Sequence, residues 1–180
     1  MIRCSWVNDN PLYIKYHDEE WGVASYDDKY LFEMLLLESF QAGLSWECIL
    51  NKRENFRNAF DNFDYNKISR YDDIKIKKLL NNKGIIRNKL KINAIINNAK
   101  IFMDIQKEYG SFSKYIWKFT NNKQIVHSRL ITSNSLSDKI SKDLKRRGMK
   151  FVGTTIIYSY LQAIGIVNDH EVNCFKKKNS

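Results

Sequence analysis

Apolar positions along the first half of the chain recur with the spacing of helices. Residues 27–40, DDKYLFEMLLLESF, open on a carboxylate and are then almost continuously apolar, which predicts a buried helix. A break at Gly43 follows, and Ser45 is placed to cap a second helix that runs to about Phe60. Shorter helices are predicted at residues 66–70 and 74–81.

The second half of the chain continues the helical pattern. A helix is predicted at residues 87–109, with an apolar face and an opposite, polar face that carries Asp104. Residues 120–134 are polar and predict a loop, and residues 137–147 predict a charged helix. Residues 154–166 predict a last, apolar helix, although their β-branched and aromatic side chains would also suit a strand. The pattern as a whole predicts an all-α fold.

Composition and charge narrow the class of protein. A chain of 180 residues, 43% of them hydrophobic, has the size and composition of one globular domain over residues 1–180. One proline and seven glycines argue against an architecture of many turns. Thirty basic side chains against twenty acidic ones leave a net charge of +10, which favours a nucleic-acid partner. A merely basic surface is the alternative.

The chain shows no sign of a membrane or of export. No apolar run reaches the roughly 18 to 20 residues that a membrane span needs, so no membrane association is expected. The first residues also lack the apolar stretch of a signal peptide, which predicts a cytoplasmic protein. Disulfides are rare in the cytosol, so Cys4, Cys48 and Cys174 are expected to be thiols or metal ligands.

Four potential metal ligands stand near the two ends of the chain: Cys4, His17, His170 and Cys174. His170 and Cys174 are four residues apart, the spacing that stacks two side chains one turn apart on a helix. Two thiolates and two imidazoles would fill the tetrahedral shell of a structural zinc ion and leave no position for a catalytic water. No Cys-x-x-Cys pair is present, so a chance scatter of four ligands is the alternative.

Aromatic residues crowd the first fifty positions: Trp6, Tyr13, Tyr16, Trp21 and Trp46. Such rings are usually core, but they are also the surfaces on which a base stacks once it leaves a duplex. Glu38 lies in the apolar run MLLLESF, where a carboxylate is costly to bury unless it is paired. A position at the edge of the apolar stripe, facing solvent, is the alternative. Rings and a carboxylate together would suit a cationic base.

The sequence NNKGIIRNK, residues 81–89, predicts a helix-hairpin-helix turn, because it joins two predicted helices through Gly84. Amide groups at the start of the second helix can bind a phosphate of the DNA backbone. Four basic residues surround the turn: Lys83, Arg87, Lys89 and Lys91. A glycine turn between helices is common, so these basic flanks are what favour DNA here.

Four segments together resemble the constitutive bacterial 3-methyladenine DNA glycosylases of the helix-hairpin-helix superfamily. They are WVNDNPLYIKYHDEEWGV from Trp6, LFEMLLLESFQAGLSW from Leu31, RRGMKFVGTT from Arg146 and NDHEVNC from Asn168. The match runs in order along nearly the whole chain. It implies two helical lobes with a DNA-binding cleft between them. It also implies an enzyme that flips 3-methyladenine out of alkylated double-stranded DNA and hydrolyses its N-glycosidic bond.

The resemblance further implies roles for individual residues. Glu38 would be the catalytic carboxylate, which accepts hydrogen bonds from the adenine edge. The rings that line the base pocket would be those of Trp6, Tyr16, Trp21 and Trp46. Gly43 and Leu44 would enter the space left by the flipped nucleotide. The hairpin residues in contact with DNA would be Gly84, Ile86 and Arg87. The ligands of one structural zinc ion per chain would be Cys4, His17, His170 and Cys174.

Asp104 stands about twenty residues after the hairpin, where most members of the superfamily carry a catalytic aspartate. Its polar neighbours predict a surface position, and the resembled family generally lacks that aspartate, so Asp104 is excluded from the site. No lysine is assigned as a nucleophile, so no strand-cleaving lyase step is expected. The enzyme is expected to act as a monomer. Two other functions stay open: a zinc-stabilised DNA-binding module without catalysis, and a hydrolase whose zinc is catalytic.

Overall fold

Within residues 1–127 and 131–177, which the computed structural model describes, the chain is mostly helical. The first helices are α1 (Pro11–Glu19), α2 (Asp28–Gln41), α3 (Trp46–Leu50), α4 (Arg53–Ala59) and α5 (Tyr65–Ile68). They are followed by α6 (Asp73–Asn81), α7 (Lys89–Tyr109), α8 (Phe112–Trp117), α9 (Ser135–Arg146) and α10 (Thr154–Ala163). Two 3-10 turns lie at Asp61–Phe63 and Lys118–Thr120, and two short strands are β1 (Ile125–Val126) and β2 (Val167–Asn168). In these ranges no helix is both long and apolar enough to cross a membrane.

Helix α2 is the centre of the fold. Its N-cap, Asp27, accepts a hydrogen bond from the amide of Lys29 at 3.2 Å, and every residue from Leu31 to Phe40 is buried. A helix that is buried on all sides has no face for solvent, so other elements must cover it completely. Helices α7 and α10 both pack against it. The predicted helical fold with a buried helix at residues 27–40 is therefore confirmed.

Capping residues decide where the other long helices begin and end. α7 begins two residues later than predicted, because the side chain of Asn88 accepts a hydrogen bond from the amide of Lys91 at 3.1 Å. It ends at Gly110, whose φ of +84° turns the chain out of the helix. α9 begins earlier than predicted, because Asn134 and Ser137 form a capping box.

The prediction of one helix across residues 45–60 was wrong. Ser45 does cap α3, since its hydroxyl accepts a hydrogen bond from an amide of the first turn at 3.2 Å. The chain then turns at Asn51, and α4 follows with the ring of Phe56 centred 4.8 Å from that of Phe40 on α2. Helical periodicity does not reveal this turn, because the turn is stabilised by aromatic packing between two helices and not by a local pattern.

The apolar pattern missed helices α1 and α8. Both begin at caps that are visible in the sequence. Asn10 precedes Pro11, a residue favoured at the first helical position, and Ser111 accepts a hydrogen bond from the amide of Lys114 at 3.0 Å. The helix predicted at residues 66–70 is also shorter than expected, as α5 ends at Ile68. Short helices have too few turns for an apolar period to become visible.

Part of the region predicted as a loop, residues 120–134, forms a strand. β1 pairs in parallel with β2, with Ile125 opposite Val167. The two strands lie about forty residues apart in the chain, so no local pattern predicts that they pair. Residues 128–130 of the predicted loop lie outside the described residues.

A close approach between two backbone segments fixes the C-terminal end of α10. Residues 154–166 form a helix and not a strand, as predicted, but the helix ends at Ala163 and Gly165 turns the chain with a φ of +73°. The segment after α1 lies directly against this glycine. A Cβ atom on Gly165 would stand 2.1 Å from the carbonyl carbon of Val23, so no larger residue fits.

Gly165→Ala is expected to lower the free energy of unfolding by about 3 kcal/mol or more, because the added methyl group overlaps backbone atoms at a left-handed φ. Gly153→Ala is the control: Gly153 has a φ of −62°, and no atom of the described residues lies within 4 Å of its added Cβ. Urea unfolding measures both variants. Equal stability of the two would contradict the close approach.

Candidate functional site

A cavity of about 290 Å³ lies among α1, α2, α3 and α10. Its volume is near the lower end of the roughly 300–1,000 Å³ that is typical of small-molecule sites. The predicted carboxylate and the four predicted pocket rings all line it: Trp6, Tyr16, Trp21, Glu38 and Trp46. The structure therefore brings these residues together around one concave site.

Glu38 on α2 is buried without a charge partner. The residue is 2% exposed, and its Oε2 atom has no hydrogen-bond donor among the described residues. Burial raises the pKa of Glu38 from 4.5 to about 8. The alternative that Glu38 faces solvent is therefore wrong. A buried polar atom without a partner is uncommon in proteins, and at a cavity it marks a place for a ligand group.

Two potential donors lie beside Glu38 in the cavity wall. Trp46 begins α3, and its buried indole Nε1 has no acceptor in the part of the chain that the structure describes. The ring of Tyr16 is centred 5.2 Å from that of Trp46. Burial, followed by the nearby Glu38 carboxyl, raises the pKa of Tyr16 well above its ordinary value, so its hydroxyl stays protonated. The wall thus combines a carboxyl group, two donors and aromatic surface.

Trp6 and Trp21 form a second part of the wall. Their rings are centred 5.0 Å apart and lie nearly perpendicular, at 76°. Each ring also contacts an imidazole: Trp6 lies 5.3 Å from His17, and Trp21 lies 4.6 Å from His170. The cavity wall therefore rests on two of the predicted metal ligands.

The predicted ligands from the two ends of the chain meet in one buried cluster. Their ligand atoms all lie within 4.8 Å of one another. The Sγ of Cys4 is 3.5 Å from Nδ1 of His170, and the Sγ of Cys174 is 3.4 Å from Nε2 of His17. A tetrahedral zinc ion separates its sulfur and nitrogen ligands by about 3.5 Å, given bonds of about 2.3 and 2.0 Å. The cluster therefore fits a closed tetrahedral metal site.

Hydrogen bonds hold the outer nitrogens of both imidazoles. Nδ1 of His17 is 2.7 Å from a carboxylate oxygen of Asp18, and Asp18 in turn accepts a hydrogen bond from Arg3 at 2.7 Å. Nε2 of His170 is 3.1 Å from the carbonyl oxygen of Trp21. Metal-ligating histidines use such groups to orient the ring. Burial also lowers the pKa of His170 to about 4, which keeps this imidazole neutral, as a ligand must be.

The helix expected from the spacing of His170 and Cys174 is not found in the described part of the C-terminal segment. A turn takes its place, in which the amide of Cys174 donates to the carbonyl oxygen of Glu171 at 2.9 Å. The turn still brings Sγ of Cys174 to 3.6 Å from Nδ1 of His170. The four-residue spacing was a sign of this contact but not of a helix.

The loop between α2 and α3, residues 42–45, is called here the α2–α3 loop. Gly43 has a φ of +81°, and nothing in the described residues lies within 4 Å of where its Cβ would stand. Leu44 is 39% exposed although it is apolar. The amide of Leu44 donates to the carbonyl oxygen of Gln41 at 2.7 Å, which closes a tight turn. The loop therefore presents an apolar side chain at the surface.

The hairpin joins α6 to α7 through residues 82–88. The amide of Gly84 donates to the side chain of Asn82 at 2.8 Å, so it is used within the turn. The amides of Ile86 and Arg87 have no acceptor among the residues that the structure describes, and the Arg87 side chain is exposed. The turn therefore offers two unpaired amides beside a guanidinium group.

Lys91 does not belong to the exposed charge around the hairpin. Lys89 is exposed, whereas Lys91 is 6% exposed, and its Nζ donates to the carbonyl oxygens of Phe40 and Ala42. Grouping Lys91 with the DNA-facing charges was wrong, because the first turn of α7 carries its side chain into the protein.

Asp104 lies on the exposed face of α7. Its side chain is 69% exposed and forms an ion pair with Lys107 at 3.2 Å. The predicted surface position of Asp104 is therefore confirmed, and Asp104 is not among the residues that line the cavity.

Five polar residues of the cavity wall were not predicted from the sequence: Gln41, Thr132, Thr155, Ser159 and Gln162. The last three stand at positions i, i+4 and i+7 of α10, whose other residues are mostly apolar. Such spacing places them on one stripe of the helix and was a usable signal. Gln162 is held in place by a hydrogen bond from its Nε2 to Oδ2 of buried Asp169 at 2.8 Å.

Known proteins resemble this chain over nearly its full length. The profile of a family described as methyladenine glycosylase matches residues 6–177. DNA-3-methyladenine glycosylase 1 of Escherichia coli (strain K12) is 49% identical over 179 residues, which cover 97% of this chain and 96% of that protein. A crystal structure of 3-methyladenine DNA glycosylase I matches with a TM-score of 0.95 at 46% identity, covering 98% of this chain and 100% of that one. A structure of 3-methyladenine DNA glycosylase I from Staphylococcus aureus, which describes the structural basis of 3-methyladenine recognition, matches with a TM-score of 0.94 at 36% identity. The match covers 99% of this chain and 97% of that one.

Glu38→Gln is expected to change how stability depends on pH. The folded chain holds the Glu38 proton up to pH 8, whereas the unfolded chain releases it near 4.5, so wild-type stability falls between these values. Gln has no such proton. The free energy of unfolding of the variant, relative to wild type, should therefore rise by up to about 1.4 kcal/mol per pH unit across this window. Urea unfolding at a series of pH values measures this gain, with exposed Asp104→Asn as control. Parallel curves for Glu38→Gln and wild type would refute the buried carboxyl.

Proposed function

This chain belongs to the methyladenine glycosylase family, and from that membership we propose that it excises 3-methyladenine from DNA in base-excision repair. The reaction is hydrolysis of the N-glycosidic bond. Water supplies a hydroxyl group to C1′ of the sugar and gives up a proton, and the electron pair of the broken bond stays with the base. Methylation at N3 makes the base in DNA a cation, so the base leaves as a neutral molecule.

The observation that carries the proposal is the unpaired carboxyl group of Glu38 in an aromatic cavity. A cationic base supplies the positive charge that this carboxyl lacks and offers flat faces to the rings of Tyr16 and Trp46. A neighbouring cation also lowers the pKa of a carboxyl group, so binding of the base opposes the effect of burial on Glu38. Undamaged adenine is neutral and gains none of this electrostatic stabilisation.

A base reaches a buried cavity only after it has left the duplex. We assign Leu44 of the α2–α3 loop to the gap that the base leaves, with Gly43 allowing the close approach. An apolar side chain in the stack offsets part of the unstacking cost, which is a few kcal/mol per step. Ile86 and Arg87 are assigned to the DNA backbone, since their unpaired amides and the guanidinium group suit phosphate oxygens, and Gly84 is assigned to it as part of the turn that presents them.

The cavity supports hydrolysis without a lyase step. A lyase needs an amine that forms a Schiff base with the sugar, and no lysine lines the described part of the cavity. The attacking nucleophile at C1′ is therefore a water molecule and not a lysine of the chain.

We assign a zinc ion to the buried cluster of two cysteines and two histidines. This donor set and its spacing suit Zn²⁺, and four protein ligands leave no position for a reacting water, so the ion would be structural. It would tie the first residues of the chain to the last ones. Because Trp6 and Trp21 pack against His17 and His170, the same ligands also support the cavity wall.

Two alternative functions fit the site less well. A DNA-binding module without catalysis has no use for a buried, unpaired carboxyl group, which costs stability. A catalytic zinc needs an open coordination position, whereas this cluster supplies four buried ligands. Release of free base from methylated DNA separates the glycosylase from the binding module.

We also propose that residues 1–180 form one domain of two helical lobes, which acts as a monomer on double-stranded DNA in the cytoplasm. The cavity, the α2–α3 loop and the hairpin all come from one chain, so no second copy is needed to complete the site. A DNA substrate is consistent with a location in the cytoplasm. It also explains the net charge of +10, because basic side chains bind the phosphate backbone.

Glu38→Gln is expected to slow single-turnover release of 3-methyladenine from methylated duplex DNA roughly ten- to hundredfold. This is the effect of losing one charge-assisted hydrogen bond of about 1.5 to 3 kcal/mol. Asp104→Asn is the control and should keep the wild-type rate, because Asp104 is exposed and paired with Lys107. An inactive Asp104→Asn variant together with an active Glu38→Gln variant would show that Asp104, and not Glu38, is the catalytic carboxylate. Wild-type protein that releases no base would leave the DNA-binding module as the function.

Purified protein is expected to contain about one zinc ion per chain, and Cys174→Ser should lose it together with several degrees of melting temperature. Its affinity for free 3-methyladenine should weaken as well, because Trp6 and Trp21 lose their support. Cys48→Ser is the matched control, since Cys48 lies outside the cluster. Metal analysis, thermal unfolding and fluorescence titration measure the three effects. An undiminished melting temperature after removal of the metal would end the zinc assignment.

A further inference from the structure

Lys91 is a buried cation in the first turn of α7, directly after the hairpin. The residue is 6% exposed, and burial lowers its pKa. In the part of the chain that the structure describes, no carboxylate lies within ion-pair distance of it. Removing an ammonium group from water is costly unless other polar atoms replace the water. The placement therefore depends on what its Nζ contacts.

The Nζ of Lys91 caps the C-terminal end of α2. It donates to the carbonyl oxygen of Phe40 at 2.8 Å and to that of Ala42 at 2.6 Å. The last carbonyls of a helix lack partners within the helix and carry partial negative charge, which a cation stabilises. The ring of Phe151 closes the niche, 5.9 Å from Nζ. A single side chain of α7 thus holds the last turn of α2.

These contacts join two elements that the proposed function assigns to DNA. Lys91 is held at the start of α7 because its own amide donates to Asn88, the last residue before the helix. Ala42, at the other end of the contact, precedes Gly43 and Leu44 in the α2–α3 loop. Among the described residues near the hairpin, Lys91 is the one whose side chain donates a hydrogen bond to this loop.

We propose that Lys91 is a positioning residue that couples docking of the hairpin on DNA to insertion of Leu44 into the duplex. The inference rests on the proposed function. In this role Lys91 touches neither base nor phosphate. It holds the α2–α3 loop at a set position relative to the hairpin, so that a protein bound to the DNA backbone presents Leu44 to the base stack.

The role predicts a separation between base binding and base extrusion. Lys91→Met keeps the length and apolar stem of the side chain and loses the two hydrogen bonds. It is expected to slow single-turnover excision from methylated duplex DNA by about tenfold, a size typical of residues that are coupled through a shared backbone segment. Its affinity for free 3-methyladenine should equal that of wild type, because the free base needs no extrusion.

A double-mutant cycle with Leu44→Ala tests the coupling. Leu44→Ala alone should slow duplex excision, and Lys91→Met should then add little, because the side chain that it positions is gone. Lys89→Met is the matched control: Lys89 is exposed two residues earlier, and loss of its charge should weaken duplex binding to the same extent with or without Leu44.

Each outcome separates the possibilities. Additive effects of Lys91→Met and Leu44→Ala would overturn the proposed coupling. The proposed glycosylase function would still stand if the wild-type protein excises the base. Loss of free-base affinity in Lys91→Met would show that Lys91 holds the whole site, which also overturns the proposal. Lys91→Gln, which keeps an N–H donor, is the second variant in case Lys91→Met does not fold. It should excise faster than Lys91→Met if that protein is obtained, and its effect should likewise vanish in the Leu44→Ala background.

Discussion

Burial of one unpaired carboxyl group is the constraint on which this structure depends. Two glutamates of α2 are buried, and only one is neutralised. Glu33 forms ion pairs with Arg53 at 2.7 Å and with Arg57 at 2.8 Å, whereas Glu38 has no such partner among the described residues. The same helix therefore offers a matched comparison. Stability alone would favour an apolar residue in place of Glu38, or an arginine beside it, so the isolation of this carboxyl group reflects the site and not the fold.

The rest of the fold holds the walls of this site in place. Walls of the cavity come from residues near both ends of the sequence, with Trp6 and Trp21 on one side and Ser159 on α10 on another. Such walls stay in place only if the ends of the chain are tied together. The Cys and His cluster does this directly beneath the two indoles, through the ring contacts of His17 and His170. A cluster that lies outside the cavity can thus still set the shape of the pocket.

The sequence predicted those parts of the fold that depend on interactions between residues close together in the chain. The apolar run of α2, the periodic face of α7, the cap at Ser45 and the break at Gly43 could all be predicted from the sequence. Long-range packing decided the rest: the turn at Asn51, the pairing of β1 with β2, and the inward path of Lys91. Glu38 was visible as a charge in an apolar helix. Its lack of a partner was not, because that depends on every element packed around it.

In the proposed function, the pKa of Glu38 connects the cost of burying this carboxyl group to the selectivity of the site for a cationic base. In the empty cavity burial raises the pKa to about 8, so at neutral pH the carboxyl group is mostly protonated and the folded chain avoids a bare buried charge. A cationic base reverses this balance, since its charge stabilises the carboxylate and drives the proton off. A neutral base meets the protonated form instead and gains one ordinary hydrogen bond. In the proposed reaction, charge thus distinguishes the methylated base from adenine before the glycosidic bond breaks, and the weaker bond of the cation then adds to the same discrimination.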